Sequence, residues 1–315
     1  MKPGNSAGTI GEFDNRVGDE LVLFKECLSE PRFRIKLDDI VSGHIRSAIE
    51  QTSDVKFSTG TRVSSGEEVI ARLRAYEEAI RPLQTLAVLL GKWSTVEQHP
   101  TLANIMARMS DNCAMRSAGN TICISMRWYP LSILAYSAGI AALAAENYSA
   151  FAAAHVKRVH AQTCHRGDST WPVVVPIIEE MLELTRADAW KVLPGYERKH
   201  TPQSEYLFDT LRPVLEDLLF LGQSYEEQFD RYEILRALIY ADITDGGWAP
   251  IGRFGWKHAS RTHEGSPYNA LRSEAEKQRD KWGPIATGLF QGSYERFNFV
   301  ATRFEKETMS QASFF

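Results

Sequence analysis

The stretch WYPLSILAYSAGIAALAAENYSAFAAA, Trp128 to Ala154, decides the fold class of this chain. From Leu131 to Ala145 it contains no charged residue, and it is rich in alanine, serine and glycine. A membrane-spanning helix needs about 20 apolar residues, more than this run supplies, and small side chains add little transfer energy. Small residues do allow neighbouring helices to approach closely, which multiplies dispersion contacts. We therefore predict helices buried in the core rather than a membrane anchor.

The same stretch resembles one tetratricopeptide-type helical hairpin. Ala138-Gly139 stands where such a unit has Leu-Gly, and Asn147-Tyr148 would form the turn, since asparagine tolerates the left-handed backbone such turns need. Phe151 would begin the inner face of the second helix. The resemblance covers a single unit of about 30 residues, so it predicts a helical hairpin and not a repeat array.

Outward from this hairpin, the dominant hydrophobic period is helical. Residues 65–93 carry an apolar stripe at helical spacing, and Ser65 with Glu68 fits an N-terminal capping box. Pro82 predicts a kink or break in that helix, because proline removes one helix hydrogen bond. Ser224 and Glu227 form a second capping box. With no βαβ alternation and no evenly spaced short strands, the sequence predicts an all-α, multi-helix array with a tetratricopeptide-like hairpin.

Length and composition predict a globular protein of ordinary type. The chain has 315 residues, of which 43% are hydrophobic and 24% charged, and its net charge is -4. We expect a flexible N-terminal segment, 1–20, followed by a single helical domain, 21–315, or by two subdomains divided near residue 120. The four cysteines are scattered without a CxxC pair and the N-terminus lacks the apolar core of a signal peptide, so we predict a cytoplasmic location and no membrane association.

A possible metal site lies in HVKRVHAQTCHRGD, 155–168. On a helix, His160 and Cys164 would be four residues apart and share a face, as metal ligands need. The alternative is a basic, solvated end of the second hairpin helix. Because no second pair of ligands stands out elsewhere, the sequence favours the alternative and predicts no cofactor.

The segment from Trp248 to His263 interleaves aromatic and basic residues with no carboxylate among them. Such groups bind protein partners, because tryptophan and arginine bury large areas and make directional bonds. They also stack on bases and neutralise phosphates. The third interpretation is a loop packed on the core. The candidate contact residues are Trp248, Arg253, Trp256, Lys257 and Arg261.

Carboxylates are frequent on the predicted helices, where most would lie on solvated faces. Asp230 and Glu233 are three residues apart beside Arg231 and Arg236. This arrangement favours ion pairs over acid–base catalysis. The chain contains neither a nucleophile elbow nor a glycine-rich phosphate-binding motif, so the sequence favours a protein that is not an enzyme.

Four further motifs together resemble a known type of protein region. They are RWYPLSILAYSAGIAAL, QFDRYEILRALIYADI, GRFGWKH and GLFQGSYERF, within roughly Met126 to Phe304. Together they resemble the helical region found C-terminal to effector or nucleic-acid-binding domains in large bacterial proteins, some of which look like components of anti-phage defence. The resemblance implies a scaffold or sensor module rather than an active site.

The leading functional hypothesis is therefore a non-enzymatic helical scaffold or sensor module that binds a protein partner in a bacterial, antiviral defence system. Residues 248–261 would form the contact. The alternative is a nucleic-acid-binding protein that uses the aromatic-basic segment 248–263, with Arg253, Trp256, Lys257 and Arg261 as its contacts. An oligomer is compatible with either hypothesis.

Overall fold

The fold is almost entirely helical, in the computed structural model that describes residues 20–60, 65–114, 119–163, 167–260 and 265–310. The all-α prediction is confirmed. The first half contains α1 (20–29), α2 (Arg34–Gln51), α3 (Gly66–Trp93), α4 (His99–Cys113), α5 (Thr121–Met126), α6 (Tyr129–Ala144) and α7 (Tyr148–His155). Two short strands follow, β1 (Arg158–Thr163) and β2 (Gly167–Pro172). The second half contains α8 (Val174–Arg186), α9 (Pro202–Leu219), α10 (Tyr225–Thr244), α11 (Phe254–Ser260), α12 (Pro267–Gln278), α13 (Gly283–Ala286) and α14 (Tyr294–Phe304).

Helix α6 is the centre of the core. All its residues from Tyr129 to Leu143 are buried, and it contacts α3, α4, α7, α8, α9 and α10. A helix that is apolar on every side is stable only when neighbours cover every side. The charge-free stretch identified in the sequence is therefore a central core helix. Among the described residues, no helix is both long and apolar enough to cross a bilayer.

Glycine and alanine let the neighbouring helices approach α6 closely. A Cβ atom at Gly91 of α3 would lie 2.3 Å from the backbone carbonyl oxygen of Ala138 in α6. A Cβ atom at Gly139 would lie 2.2 Å from the ring of Tyr232 in α10. Neither distance leaves room for a side chain, so these two glycines set the spacing of α6 from its neighbours.

The helical hairpin is present, with a turn that differs from the prediction. Glu146, and not Asn147, takes the left-handed conformation. The Asn147 side chain instead caps α7 by accepting a hydrogen bond from the Ala150 N–H at 3.2 Å. Because α7 has only eight residues and leads into a β-strand, the likeness to a tetratricopeptide unit is not confirmed.

The predicted basic helix end after α7 is wrong, because residues 158–172 form an antiparallel β-hairpin. Val159 and Ala161 are buried whereas Arg158 and His160 are exposed, which is the period-two alternation of a half-buried strand. The proposed sharing of a helix face by His160 and Cys164 is therefore also wrong: His160 lies on β1, and Cys164 is outside the described residues.

Local helix signals were correct in part. The Ser65 hydroxyl accepts a hydrogen bond from the Glu68 N–H at 3.3 Å, as a cap does. The predicted break at Pro82 does not occur, since α3 continues through it to Trp93. The Ser224 hydroxyl makes no cap on α10 and donates instead to the Leu221 carbonyl at 2.7 Å.

Candidate functional site

The aromatic-basic segment packs against α9 and α10. The Arg253 N–H donates to the Ser204 hydroxyl of α9 at 2.9 Å, and the Arg253 guanidinium lies 3.5 Å from the ring centroid of Phe208. Gly252 lies against Glu233 of α10, because a Cβ atom at Gly252 would be 1.9 Å from the carboxylate oxygen Oε2. The segment is thus anchored to the core along its inner side.

The two tryptophans of the segment reach solvent, whereas two of its basic residues do not. Trp248 is 41% exposed and Trp256 is 42% exposed. Arg253 and Lys257 are buried, and Arg261 lies outside the described residues. Among the four predicted contact residues that the structure describes, only Trp248 and Trp256 therefore expose a large side-chain surface to a partner.

Carboxylates of α10 neutralise the buried cations of the segment. Lys257 pairs with the buried Asp230 and, at 2.6 Å, with Glu226. A nitrogen of Arg253, Nη2, lies 3.3 Å from the same Glu226 carboxylate. The segment itself contains no acid, so only the tertiary structure reveals this pairing. The positive charges of Arg253 and Lys257 are therefore already paired with carboxylates of the same chain.

A cavity of about 260 Å³ lies on the inner side of residues 248–252. Its walls come from α6, α8, residues 200–204 at the start of α9, α10, this loop and Thr308 near the end of the described chain, and the exposed Trp248 is part of the lining. Leu182, Pro250 and Ile251 provide apolar surface. Concave sites with mostly apolar walls and a few buried polar groups are typical of small-molecule binding.

Glu233 of α10 is the buried acid of the cavity, with 2% of its surface exposed. Its carboxylate accepts hydrogen bonds from the Tyr136 hydroxyl at 3.0 Å and from the Ser204 hydroxyl at 2.8 Å. Burial raises the pKa of Glu233 to about 7, in spite of the opposing effect of the nearby Arg236 charge. Glu233 therefore changes its charge near neutral pH.

Arg236, one turn further along α10, is the buried cation of the cavity and is 6% exposed. Its guanidinium lies 4.8 Å from the ring centroid of Tyr136. Its nitrogens Nε and Nη1 are buried and have no hydrogen-bond partner among the described residues. Arginine stays protonated in proteins, so a residue of the cavity wall carries a permanent positive charge, and two of its donors lack an acceptor among the described residues.

The predicted ion pairs form for two of the four residues concerned, and with partners outside α10. Arg231 pairs with Glu274 of α12, and Asp230 pairs with Lys257 of α11. Glu233 and Arg236 remain without ion-pair partners in the described part of the chain and face the same cavity. One sequence signal could have located them. Apolar residues occur on every side of α10, which indicates a helix whose charges must also be buried.

The described residues contain no group of three or more His, Cys, Asp or Glu side chains placed to hold a metal ion. The chemistry that the cavity does offer is binding: a fixed guanidinium, a carboxyl group that titrates near neutral pH, and apolar walls. Comparison of the chain with protein-family models, curated proteins and solved structures finds no significant match.

Proposed function

We propose that this helical protein binds a small organic anion in the cavity beside residues 248–252, with Arg236 as the group that contacts the negative charge. One observation carries the proposal: the Nε and Nη1 donors of Arg236 are buried at a cavity wall without a partner among the described residues. A ligand carboxylate would accept a charge-assisted hydrogen bond from one edge of the guanidinium, through Nη2 and either Nε or Nη1. It would supply an acceptor that the described part of the protein does not provide.

The energetics favour a functional explanation of Arg236. A buried donor without a partner costs about 1–3 kcal/mol, and an unpaired charge costs more. Buried polar groups are therefore nearly always hydrogen-bonded, and an exception calls for an explanation such as a ligand, an ion or a water molecule. The cavity of about 260 Å³ is small for a binding pocket, so the ligand would be a small molecule rather than a large cofactor.

A test of the proposal is the response of Arg236→Met to carboxylates. We expect 4-methylpentanoate or 3-phenylpropanoate to raise the melting temperature of the wild type, since binding at a hundredfold excess over Kd contributes about 2.7 kcal/mol. Arg236→Met should lose this response. Its unfolding free energy at a pH near 6 should equal or exceed the wild-type value by about 1 kcal/mol, because an unpaired buried charge is removed. Differential scanning fluorimetry and urea denaturation measure the two effects.

The matched control is Arg32→Met, which makes the same substitution at an exposed arginine. It should leave the carboxylate response of the wild type intact. A wild type that responds to neither carboxylate, or an Arg236→Met variant that keeps the response, would contradict the anion site. A large loss of stability in Arg236→Met would mean that the arginine is structural.

A second candidate function, binding of a protein partner, is favoured by the two exposed tryptophans of the segment. The protein would then be a scaffold or sensor module, as we expect from the resemblance of its motifs to helical regions of large bacterial proteins. Pull-down with the products of neighbouring genes tests this candidate. We expect Trp256→Ser to weaken capture at least about tenfold, and the exposed Phe220→Ser, on a different segment, to have no effect. Equal capture by both variants would contradict contact through the segment.

The nucleic-acid alternative depends on the basic residues of the same segment. Arg253 and Lys257 are paired with carboxylates of α10, so they are less favourable contacts for phosphates than free surface cations. The observations therefore favour a protein partner over nucleic acid for this face.

A further inference from the structure

Two side chains of opposite charge line one cavity without forming an ion pair with each other. Glu233 and Arg236 are one turn apart on α10, both more than nine-tenths buried, and both line the cavity. Arg236 forms no hydrogen bond through Nε or Nη1 and no ion pair with Glu233 among the described contacts. Residues at this spacing in a helix are normally close enough to pair, so their separation needs a structural reason.

Tyr136 of α6 provides that reason. Its ring lies under the Arg236 guanidinium, with 4.8 Å from the ring centroid to the carbon Cζ. Its hydroxyl donates to Glu233 at 3.0 Å. Ser204 holds the other carboxylate oxygen at 2.8 Å. Each oxygen accepts one of these hydrogen bonds and retains a second lone pair, so the carboxylate is oriented but still able to accept from a ligand.

We infer that the cavity binds a zwitterion, a small molecule that carries a carboxylate for Arg236 and an ammonium group for Glu233, such as a free α-amino acid. The inference rests on the proposed anion site and adds Glu233 as the group that binds the ammonium of the ligand. An ammonium group next to the carboxylate of the same ligand matches two opposite protein charges that are neighbours but not partners. A carboxylate alone would leave Glu233 without an ion-pair partner, and an ammonium group alone would leave Arg236 without one.

The remaining walls indicate which amino acids fit. Leu182, Pro250, Ile251 and Trp248 line the same cavity as the charged pair on α10. Apolar walls favour a ligand with an apolar side chain, because its transfer from water is favourable. In a cavity of about 260 Å³, aliphatic and aromatic amino acids such as leucine and phenylalanine are the expected ligands.

The pH dependence of binding distinguishes a zwitterion from a simple anion. Glu233 is influenced by Arg236 and Asp230 on its own helix, by Tyr136 of α6 and by Ser204 of α9. His200, just before α9, lines the same cavity. Since burial raises the pKa of Glu233 to about 7, the carboxyl group is mainly neutral below this pH and mainly charged above it. An ammonium group binds the charged form, so amino-acid affinity should rise with pH through this range. A simple carboxylate is repelled by the charged form, so its affinity should fall.

The experiment compares matched ligands by isothermal titration calorimetry on the full chain. The probes are leucine and phenylalanine, and the same molecules without the amino group, 4-methylpentanoate and 3-phenylpropanoate. We expect the better amino acid to bind the wild type about tenfold to a hundredfold more tightly than its des-amino analogue near pH 8. Glu233→Gln should remove this preference and leave the affinity for the des-amino analogue equal or higher. The control Glu227→Gln, at an exposed position of α10, should change neither.

Each other outcome overturns the inference in a recognisable way. If the des-amino acids bind as tightly as the amino acids, and more tightly as the pH falls, Glu233 acts as a neutral hydrogen-bond donor and the ligand is a simple carboxylate. The proposed anion site would then survive without the zwitterion. If none of the four probes binds, both the zwitterion and the anion site are contradicted. Melting temperatures of Glu233→Gln and Glu227→Gln confirm that both variants are folded.

Discussion

Replacing Gly91 with alanine should destabilise the protein by about 1–2 kcal/mol, the cost of overpacking less the gain in helix propensity. The new Cβ atom would lie 2.3 Å from the carbonyl oxygen of Ala138 and 3.1 Å from its carbonyl carbon. Both atoms belong to the backbone of α6, which is buried along its length and cannot move without disturbing its other neighbours. Overpacking of this kind costs roughly 1–3 kcal/mol or more, against a gain of about 1 kcal/mol for alanine over glycine in a helix. Urea denaturation followed by circular dichroism measures the difference.

Gly43→Ala is the matched control for this prediction. Gly43 lies inside α2, and a Cβ atom there would have no heavy atom within 4 Å. Only the helix propensity changes, so we expect a gain of about 0.5–1 kcal/mol. Equal effects of the two substitutions would contradict the close approach of α3 to α6.

Lys257→Met should cost about 3–5 kcal/mol, because it leaves the carboxylate of Asp230 buried without its cation. Asp230 and Lys257 are both buried, and the Oδ1 atom of Asp230 already has no hydrogen-bond partner in the described part of the chain. Adding Asp230→Leu should restore most of the loss, because replacing both members of a buried pair with apolar residues is often neutral. A double-mutant cycle by urea denaturation measures both effects.

The loss in Lys257→Met should grow as the pH rises. Burial raises the pKa of Asp230 even in the wild type, where Lys257 opposes the shift. Without the lysine, this pKa rises further, so the folded protein holds a proton that the unfolded chain releases, and stability falls as the pH passes through that range. The exposed pair Lys191–Asp188, at 3.0 Å, is the control: Lys191→Met should change stability by less than about 1 kcal/mol at any pH. A uniform loss across pH in Lys257→Met would contradict the role of Asp230.

Helical periodicity and side-chain size predicted much of the fold. The uncharged run after Pro130 is the buried helix α6, and the helix that begins after Ser65 has the predicted cap. These predictions succeeded because they depend on neighbours in the sequence. The period of a stripe and the absence of charge are visible within one or two turns.

The β-hairpin and the turn of the helical hairpin were missed for a related reason. The alternation from Arg158 to Ala161 is too short to be distinguished from the end of an alanine-rich helix. Its pairing partner, Gly167–Pro172, has no strong strand composition of its own. Pairing between the two strands stabilises a conformation that neither segment indicates alone.

The sequence predicted only one part of the candidate site, the segment that begins at Trp248. The sequence drew attention to Trp248 and the segment that follows, and Trp248 does line the cavity. The acid and the cation of that cavity, Glu233 and Arg236, were predicted only to take part in ion pairs, together with Asp230 and Arg231. Helical spacing indicates which charges are near each other, but not whether a ring such as that of Tyr136 separates them.

The sequence by itself therefore determined the fold class and the central position of the charge-free helix, and it singled out Trp248 and Trp256 as candidate contact residues. Only the tertiary structure decided which charges are neutralised and which remain free. Lys257 finds its carboxylates on α10, and Arg236 finds none among the described residues. Burial makes the difference, since an ion pair contributes little in water whereas an unpaired charge in the interior is costly. The residues that bury a charge come from distant parts of the chain.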